Sequence, residues 1–355
     1  MAAMTSRERV RRLLSHQEAD RVAKRDAIWG ATEKLWHKQG LPENQSAFDY
    51  FGFEIRALGG DLTPRLPTRV LAEDDEYIIE TTPWGGVRRN HKDYSTTPEV
   101  IDTPVKTPDD WKKLKPLLQP HFTRVDWASA RRNYLKWREA GEYIVFSAAT
   151  GYDNCQSIIN SERLLTLMAT EPEFIRDILM THSRLVAETL KMMYAEGFEF
   201  DGVWTYNDMG YRNGPLFSPQ MYRDIVMPGE KLIYDTAHQL GMQTIMHSCG
   251  NIVPLLPAVI EAGVDCWQTL EVKAGVDVRP LKKQYGGKLA FFGNIDVRAI
   301  EDPDPRVIEN EIKVKLEAAM PGGGYLFHSD HSIPIDVSFQ KYQYVMELVE
   351  KYGRY

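Results

Sequence analysis

Short apolar runs along this chain alternate with longer stretches whose apolar residues recur every three or four positions. The alternation becomes regular from about Tyr143 onward. Six runs predict buried strands: Tyr143-Ile144-Val145-Phe146, Gly202-Val203-Trp204-Thr205, Thr244-Ile245-Met246, Val264 to Gln268, Leu289 to Phe292, and Gly324 to Phe327. A helical pattern follows each of them. These stretches run through Leu164, Leu165 and Leu167 and on over Ile175 to Ala195; from Pro228 to the stop at Gly241; from Ile252 to Ala262, closed by Gly263; from Val278 to Tyr285; from Pro305 to Met320; and from Val337 to Lys351. Ser218-Pro219 adds a cap and a first-turn proline ahead of the Pro228 stretch.

The N-terminal part is less regular. Thr5-Ser6 followed by Val10, Leu13 and Leu14 predicts a capped helix. Ala27-Ile28-Trp29-Gly30 predicts a first strand, Ala31 to Gly40 a helix, and Phe48 to Leu58 a further buried element. Residues 64–104 read differently, with Val70-Leu71, Tyr77 to Glu80 and Gly86 to Arg88 as short pieces set among charges. The turn signal Pro83-Trp84-Gly85-Gly86 predicts a β-hairpin or small meander inserted into the main fold. Thr107-Pro108 opens a short helix.

Six successive β-then-α units, with weaker ones before them, imply parallel strands and right-handed crossovers. Their number and the chain length predict a closed (β/α)8 TIM barrel, spanning 1–355 as one domain. A doubly wound sheet is disfavoured, since no glycine-rich dinucleotide fingerprint follows the first strand.

Composition narrows the function. A hydrophobic content of 43% and a charged content of 26% over 355 residues are globular values. The net charge of −7, with no dense basic run, argues against a nucleic-acid partner. The N-terminal stretch is polar and no run approaches a membrane span, so neither export nor membrane insertion is expected. The three cysteines, Cys155, Cys249 and Cys266, form no disulfide framework, which points to a reducing cytoplasm.

In such a barrel, chemistry collects where strands end. His247-Ser248-Cys249-Gly250-Asn251 follows the Ile245 strand. Residues two apart on a strand face the same way, so His247 and Cys249 can converge on one point, and an N/S pair suits zinc. Tyr206, Asn207 and Asp208 end the Val203 strand; Glu271, Asn294 and Asp296 follow the next two; His328, Asp330 and His331 follow the last. Each has a plainer reading. Cys266 reads as a buried apolar residue within its strand, Cys155 as part of a loop, Glu271 as a rim carboxylate and Asp296 as a helix cap. Turn chemistry alone would explain Asn207-Asp208. Two imidazoles flanking a carboxylate at His328 to His331 are costly to bury without partners.

Three stretches carry a family resemblance: Phe292-Gly293-Asn294-Ile295-Asp296, Leu216-Phe217-Ser218-Pro219-Gln220-Met221-Tyr222, and Gly322-Gly323-Gly324-Tyr325 to Ile333-Pro334. They resemble the uroporphyrinogen decarboxylase superfamily, a single (β/α)8 barrel that includes haem-pathway decarboxylases and cobalamin-dependent methyltransferases. The decarboxylases carry an Arg-Gln-Ala-Gly-Arg stretch for substrate carboxylates; Arg21 to Gly30 here lacks it. The methyltransferase branch carries His-x-Cys plus a distant cysteine as zinc ligands. His247 and Cys249 match the first two, and His331 stands in the third position, within His331-Ser332-Ile333-Pro334. His328 and Asp330 are alternatives for that third ligand.

The resemblance therefore implies a zinc-dependent methyltransferase. It would move a methyl group between a small substrate, an O-methyl ether or a thiol, and the cobalamin of a separate corrinoid protein, since the chain holds no recognisable cobalamin-binding domain. Tyr206, Asp208 and Asp296 are then expected to be catalytic, and Asn207, Asn294, Asp330 and His328 to contact substrate. Related barrels pair, so a homodimer is also expected. The alternatives are a metal-independent decarboxylase or lyase of a smaller acid, with Arg56, Arg65, Arg88 and Arg89 as carboxylate binders, and a non-catalytic barrel.

Overall fold

The structure is a computed structural model that describes residues 4–93 and 97–355. Met1 to Ala3 of the polar N-terminal stretch and Tyr94 to Thr96 of the insertion lie outside the described residues.

Eight parallel strands form one curled sheet. In chain order they are β1 (Ala23–Lys24), β2 (Ile55–Leu58), β3 (Tyr143–Ala149), β4 (Gly202–Tyr206), β5 (Gln243–Ser248), β6 (Cys266–Thr269), β7 (Ala290–Gly293) and β8 (Tyr325–Phe327). Neighbours pair in sequence from β2 round to β8, and β8 pairs with β1. A backbone bond from Glu54 N–H to Lys24 C=O, 3.0 Å, joins the β1 and β2 ends of the curl. Helices follow the strands, among them Pro172–Ala195, Met227–Gln239, Pro305–Ala319 and Phe339–Tyr352. This is the (β/α)8 barrel expected from the alternating pattern.

Strand parity sorts the core into two. Ile55, Tyr143, Val145, Trp204, Ile245, Cys266, Phe292 and Leu326 pack together inside the barrel. Their odd-step neighbours Ile144, Phe146, Val203, Met246, Trp267, Phe291 and Phe327 pack outward against the helices. Cys266 is thus the buried apolar residue expected of it. Nearly continuous apolar strands are what burial on both faces requires.

Local signals explain where elements start and stop. Thr5 caps Ser6–Leu14 through Glu8 N–H, and Thr107 forms a reciprocal cap with Asp110 on Pro108–Leu114. Between β2 and β3 sits a four-stranded antiparallel meander, Val70–Glu73, Tyr77–Thr81, Val87–His91 and Glu99–Asp102, in the place predicted for it.

Three expectations shift. The first strand is Ala23–Lys24, not the run from Ala27, because Asp26 accepts from Ala27 N–H and Tyr342 Oη and turns the chain out of the ladder. Ile28 retains only a single bridge to Ile333. The stretch from Phe48 to Leu58 divides into a helix, Ala47–Tyr50, capped by Ser46, and β2. Cys155 lies in a helix, Gly151–Ile158, and is buried there rather than in a loop. Among the described residues, no helix is long and apolar enough to cross a membrane.

Candidate active site

The parity that points Ile245 into the barrel carries two steps on to His247 and four steps on to Cys249. The same rule turns Tyr206 inward two residues after Trp204, Gln268 two after Cys266, and His328 two after Leu326. These side chains, with Arg25, Ala27, Trp29, Thr269, His331 and Ser332, line a chamber of about 240 Å³ at the strand ends.

His247 Nε2 lies 3.2 Å from Asp208 Oδ1 and 3.4 Å from Cys249 Sγ. The ligand atoms of Asp208, His247 and Cys249 all fall within 4.8 Å of one another. Asp208 is held in place by the Cys249 N–H, which donates to its Oδ1 at 2.7 Å. The chain then turns sharply at Gly250, φ 75°, where a Cβ would come within 2.3 Å of the Gly210 backbone. Only glycine allows that approach, and it lets the loops after β4 and β5 close on each other. His331 lines the same chamber, with its Nδ1 3.2 Å from Ser332 O, and stands outside the three-residue group.

A hydrogen-bonded relay orients the imidazoles. His247 Nδ1 bonds Gln268 Oε1, which leaves the Nε2 lone pair facing Asp208 and Cys249. Gln268 Nε2 donates to His328 Nε2 at 3.2 Å, and His328 Nδ1 donates to Ser329 O at 2.5 Å. Burial pushes the His328 pKa down, consistent with the neutral tautomer this pattern needs. Burial also opposes charge on His247, yet Asp208 and Cys249 outweigh it and hold the imidazole well above its ordinary value. The Cys249 thiol is pushed up by burial, with His247 acting the other way.

The remaining expected residues are placed differently. Tyr206 stands over the site, its ring centroid 5.1 Å from that of His247. Asn207 is fully buried behind it; its amide bonds Glu230 Oε1 at 2.5 Å and accepts from Tyr152 N–H at 2.8 Å. Asn294 accepts from Val278 N–H and donates to Leu270 O and Val276 O. Asp296 caps Val297–Glu301 and pairs with Arg298. Asp330 accepts from Val272 N–H and Val297 N–H, both at 2.9 Å. Glu271 binds Gly250 N–H at 2.7 Å, so it braces the Cys249 turn. The four arginines weighed as carboxylate binders each have a partner within the chain: Arg56 with Asp49 and Glu142, Arg65 with Asp61, Arg88 with Glu80, and Arg89 with Glu99.

Sequence reasoning passed over four residues at this site. Gln268 and Trp204 follow from strand parity, which was applied to His247 and Cys249 alone. Arg25 follows β1 directly, and the misplaced first strand hid it. Asp153 comes from the helix after β3 and had no local signal. Burial, with the charge of Asp208, pushes the Asp153 carboxyl up to about 6.

A family model described as uroporphyrinogen decarboxylase (URO-D) matches residues 86–352. The chain belongs to the uroporphyrinogen decarboxylase family. Among solved structures, a methyltransferase from Methanosarcina mazei superposes with a TM-score of 0.68 at 15% identity, covering 98% of this chain and 99% of that one. A protein assigned as a vitamin-B12-independent methionine synthase from Listeria monocytogenes reaches a TM-score of 0.42 at 12% identity, over 94% of this chain and 98% of that one. The first likeness shows a shared fold, and the second is too loose to carry any inference. No curated protein gives a significant match.

Proposed function

We propose that this URO-D family protein is a zinc-dependent methyltransferase, moving a methyl group between a small substrate and the cobalamin of a separate corrinoid protein. The observation that carries the reading is the Asp208, His247 and Cys249 group. Ligand bonds of about 2.0–2.3 Å put neighbouring ligand atoms of a tetrahedral zinc site roughly 3.3–3.8 Å apart. The observed separations of 3.2 and 3.4 Å from His247 Nε2 are close to that spacing, and all three ligand atoms lie within 4.8 Å of one another. The mixed N/O/S donor set is of the right softness, and His247 has the second-sphere partner that metal-bound imidazoles use. Family membership and the shared fold with a Methanosarcina methyltransferase support the same class of chemistry.

Zinc held there would act as a Lewis acid, lowering the basicity of an ether oxygen or holding a thiol as thiolate. The chain's own residues do the rest. Gln268 fixes the His247 ring, Asp208 holds the Cys249 turn, and Tyr206 and Trp29 line the chamber. Asp153, with a carboxyl near 6, is placed beside Asp208 to exchange a proton with the group that gains or loses the methyl. His331 faces the chamber as the further ligand candidate that the family resemblance implies.

Metal analysis of purified protein together with spectral conversion of added cob(I)alamin to methylcobalamin tests the proposal. The expected result is near-stoichiometric zinc and conversion with a methyl ether donor. Absence of zinc, together with full activity in a folded His247→Ala variant, would overturn it.

A further inference from the structure

Two N–H donors on the chamber wall have no acceptor. Arg25 Nε and Trp204 Nε1 are both buried without a hydrogen-bond partner, and both residues line the 240 Å³ chamber that His247 and Cys249 also line. Arg25 makes no ion pair or side-chain hydrogen bond among the described residues; its guanidinium rests over the Phe48 and Phe53 rings, at 5.0 and 5.9 Å. The adjacent carboxylate does not serve it, because Asp26 accepts from Ser329 Oγ, Tyr342 Oη and Ala27 N–H. Asp26 attracts the guanidinium by charge but gives it no hydrogen bond, and a buried guanidinium N–H without an acceptor is costly, as is an orphaned indole N–H. Elsewhere the same chain pairs its barrel-side arginines, as Arg9 and Arg21 do with Glu54.

We propose that the substrate of this site carries a carboxylate, bound at the floor of the chamber by Arg25 and the Trp204 indole N–H. The inference rests on the methyltransferase reading only for what happens at the other end of the molecule. Trp204 lies two residues before Tyr206 on β4, one inward-facing layer deeper in the barrel. A carboxylate there would leave the rest of a small molecule pointing up, past Tyr206, toward His247 and Cys249. The planar guanidinium fork matches a planar carboxylate, and a single positive charge balances a monoanion. A tetrahedral dianion would call for more charge than Arg25 supplies. The chamber walls of Trp29, Trp204 and Tyr206 favour a flat or apolar body over a sugar.

Equilibrium binding of acid–amide pairs tests this directly: acetate against acetamide, benzoate against benzamide, and meta-methoxybenzoate against its amide. Full-length protein is titrated as purified and again after chelation, so that a carboxylate cannot register by binding metal. Calorimetry and quenching of tryptophan fluorescence report binding. At least one acid is expected to bind about 10- to 100-fold tighter than its amide, the range of one charge-assisted contact. Arg25→Gln should erase that preference, Arg25→Lys should keep part of it, and Trp204→Phe should reduce it several-fold. The inference falls if no acid outbinds its amide in the wild-type protein, or if folded Arg25→Gln keeps the preference. Should Arg25→Gln not fold, the wild-type pairs and Trp204→Phe decide. Acid preference without methylation of cob(I)alamin would defeat the methyltransferase reading alone; methylation without acid preference would defeat this one alone.

Discussion

The ends of β5 and β8 carry nearly the same residue types: an imidazole, a second metal-capable side chain two or three positions on, and a carboxylate close by. They differ in what those groups face. At β8, the carboxylate is answered by backbone, and the imidazole by one carbonyl and the Gln268 amide. Asp330 takes the amides of Val272 and Val297, tying the loops after β6 and β7 to the strand, and His328 donates to its neighbour's carbonyl. At β5, Asp208, His247 and Cys249 face one another. A carboxylate that collects backbone amides is a structural staple, whereas donors whose lone pairs converge are a place for a cation. The sharpest way to break this contrast is His247→Ala. We expect zinc content to fall below a tenth of wild type and methyl transfer by at least about a thousandfold, with unfolding free energy changed by only about 1–2 kcal/mol. Metal analysis, cob(I)alamin methylation and urea titration of the same sample report all three.

Asp330→Ala is the mirror experiment. It orphans two buried backbone amides, each costing about 1–3 kcal/mol, so a loss of roughly 3–4 kcal/mol in urea unfolding is expected. Zinc bound per folded molecule should stay near wild type. A variant that lost metal at full stability would mean that Asp330 belongs to the cation site after all.

The two strand ends also mark how far the sequence could be read. The barrel was legible because parallel strands buried on both faces leave apolar runs at regular spacing, and the meander because Pro83 to Gly86 punctuates short charged strands. His247 and Cys249 were legible because their two-residue offset decides which face they share. Asp330 was not, since whether a carboxylate meets a metal or two amides depends on loops from β6 and β7, far off in sequence. Arg25 was missed for a related reason. Its significance lies in a missing partner, and the Asp26 beside it looks like that partner until Tyr342 and Ser329 are seen to occupy it.

Behind β5, Asn207 links Glu230 to the strand, since its own N–H donates to His247 O at 2.9 Å. Burial pushes the Glu230 carboxyl from an ordinary 4.5 up to about 7, with Tyr222 and Asn207 acting the other way. Because the folded-state pKa is raised, the neutral acid is the form the fold favours. Its stabilising contribution is full below about pH 4.5 and is lost as pH rises through 7. At about 1.4 kcal/mol per pH unit of difference, the loss is about 3 kcal/mol. Glu230→Gln should remove this slope, so the stability difference between variant and wild type should change by about that amount between pH 4.5 and 8. A difference independent of pH would show that Glu230 is ionised in the folded protein throughout.

The smallest expected effects decide the third ligand. Asp208 sits with His247 and Cys249, while His331 holds the position that the family resemblance implies and lines the same chamber. Substituting whichever is the third ligand leaves His247 and Cys249, so zinc should weaken rather than vanish. With Asp208 as the third ligand, Asp208→Asn should weaken zinc about 10- to 100-fold and His331→Ala by no more than a few-fold. Asparagine keeps an acceptor for the Cys249 amide, so the loss would be one of charge and not of the turn. The reverse order, measured by competition with a chromophoric chelator, would mean that the loop after β8, through His331, supplies the third ligand. The two strand ends would then form one site, and the contrast between them would fall.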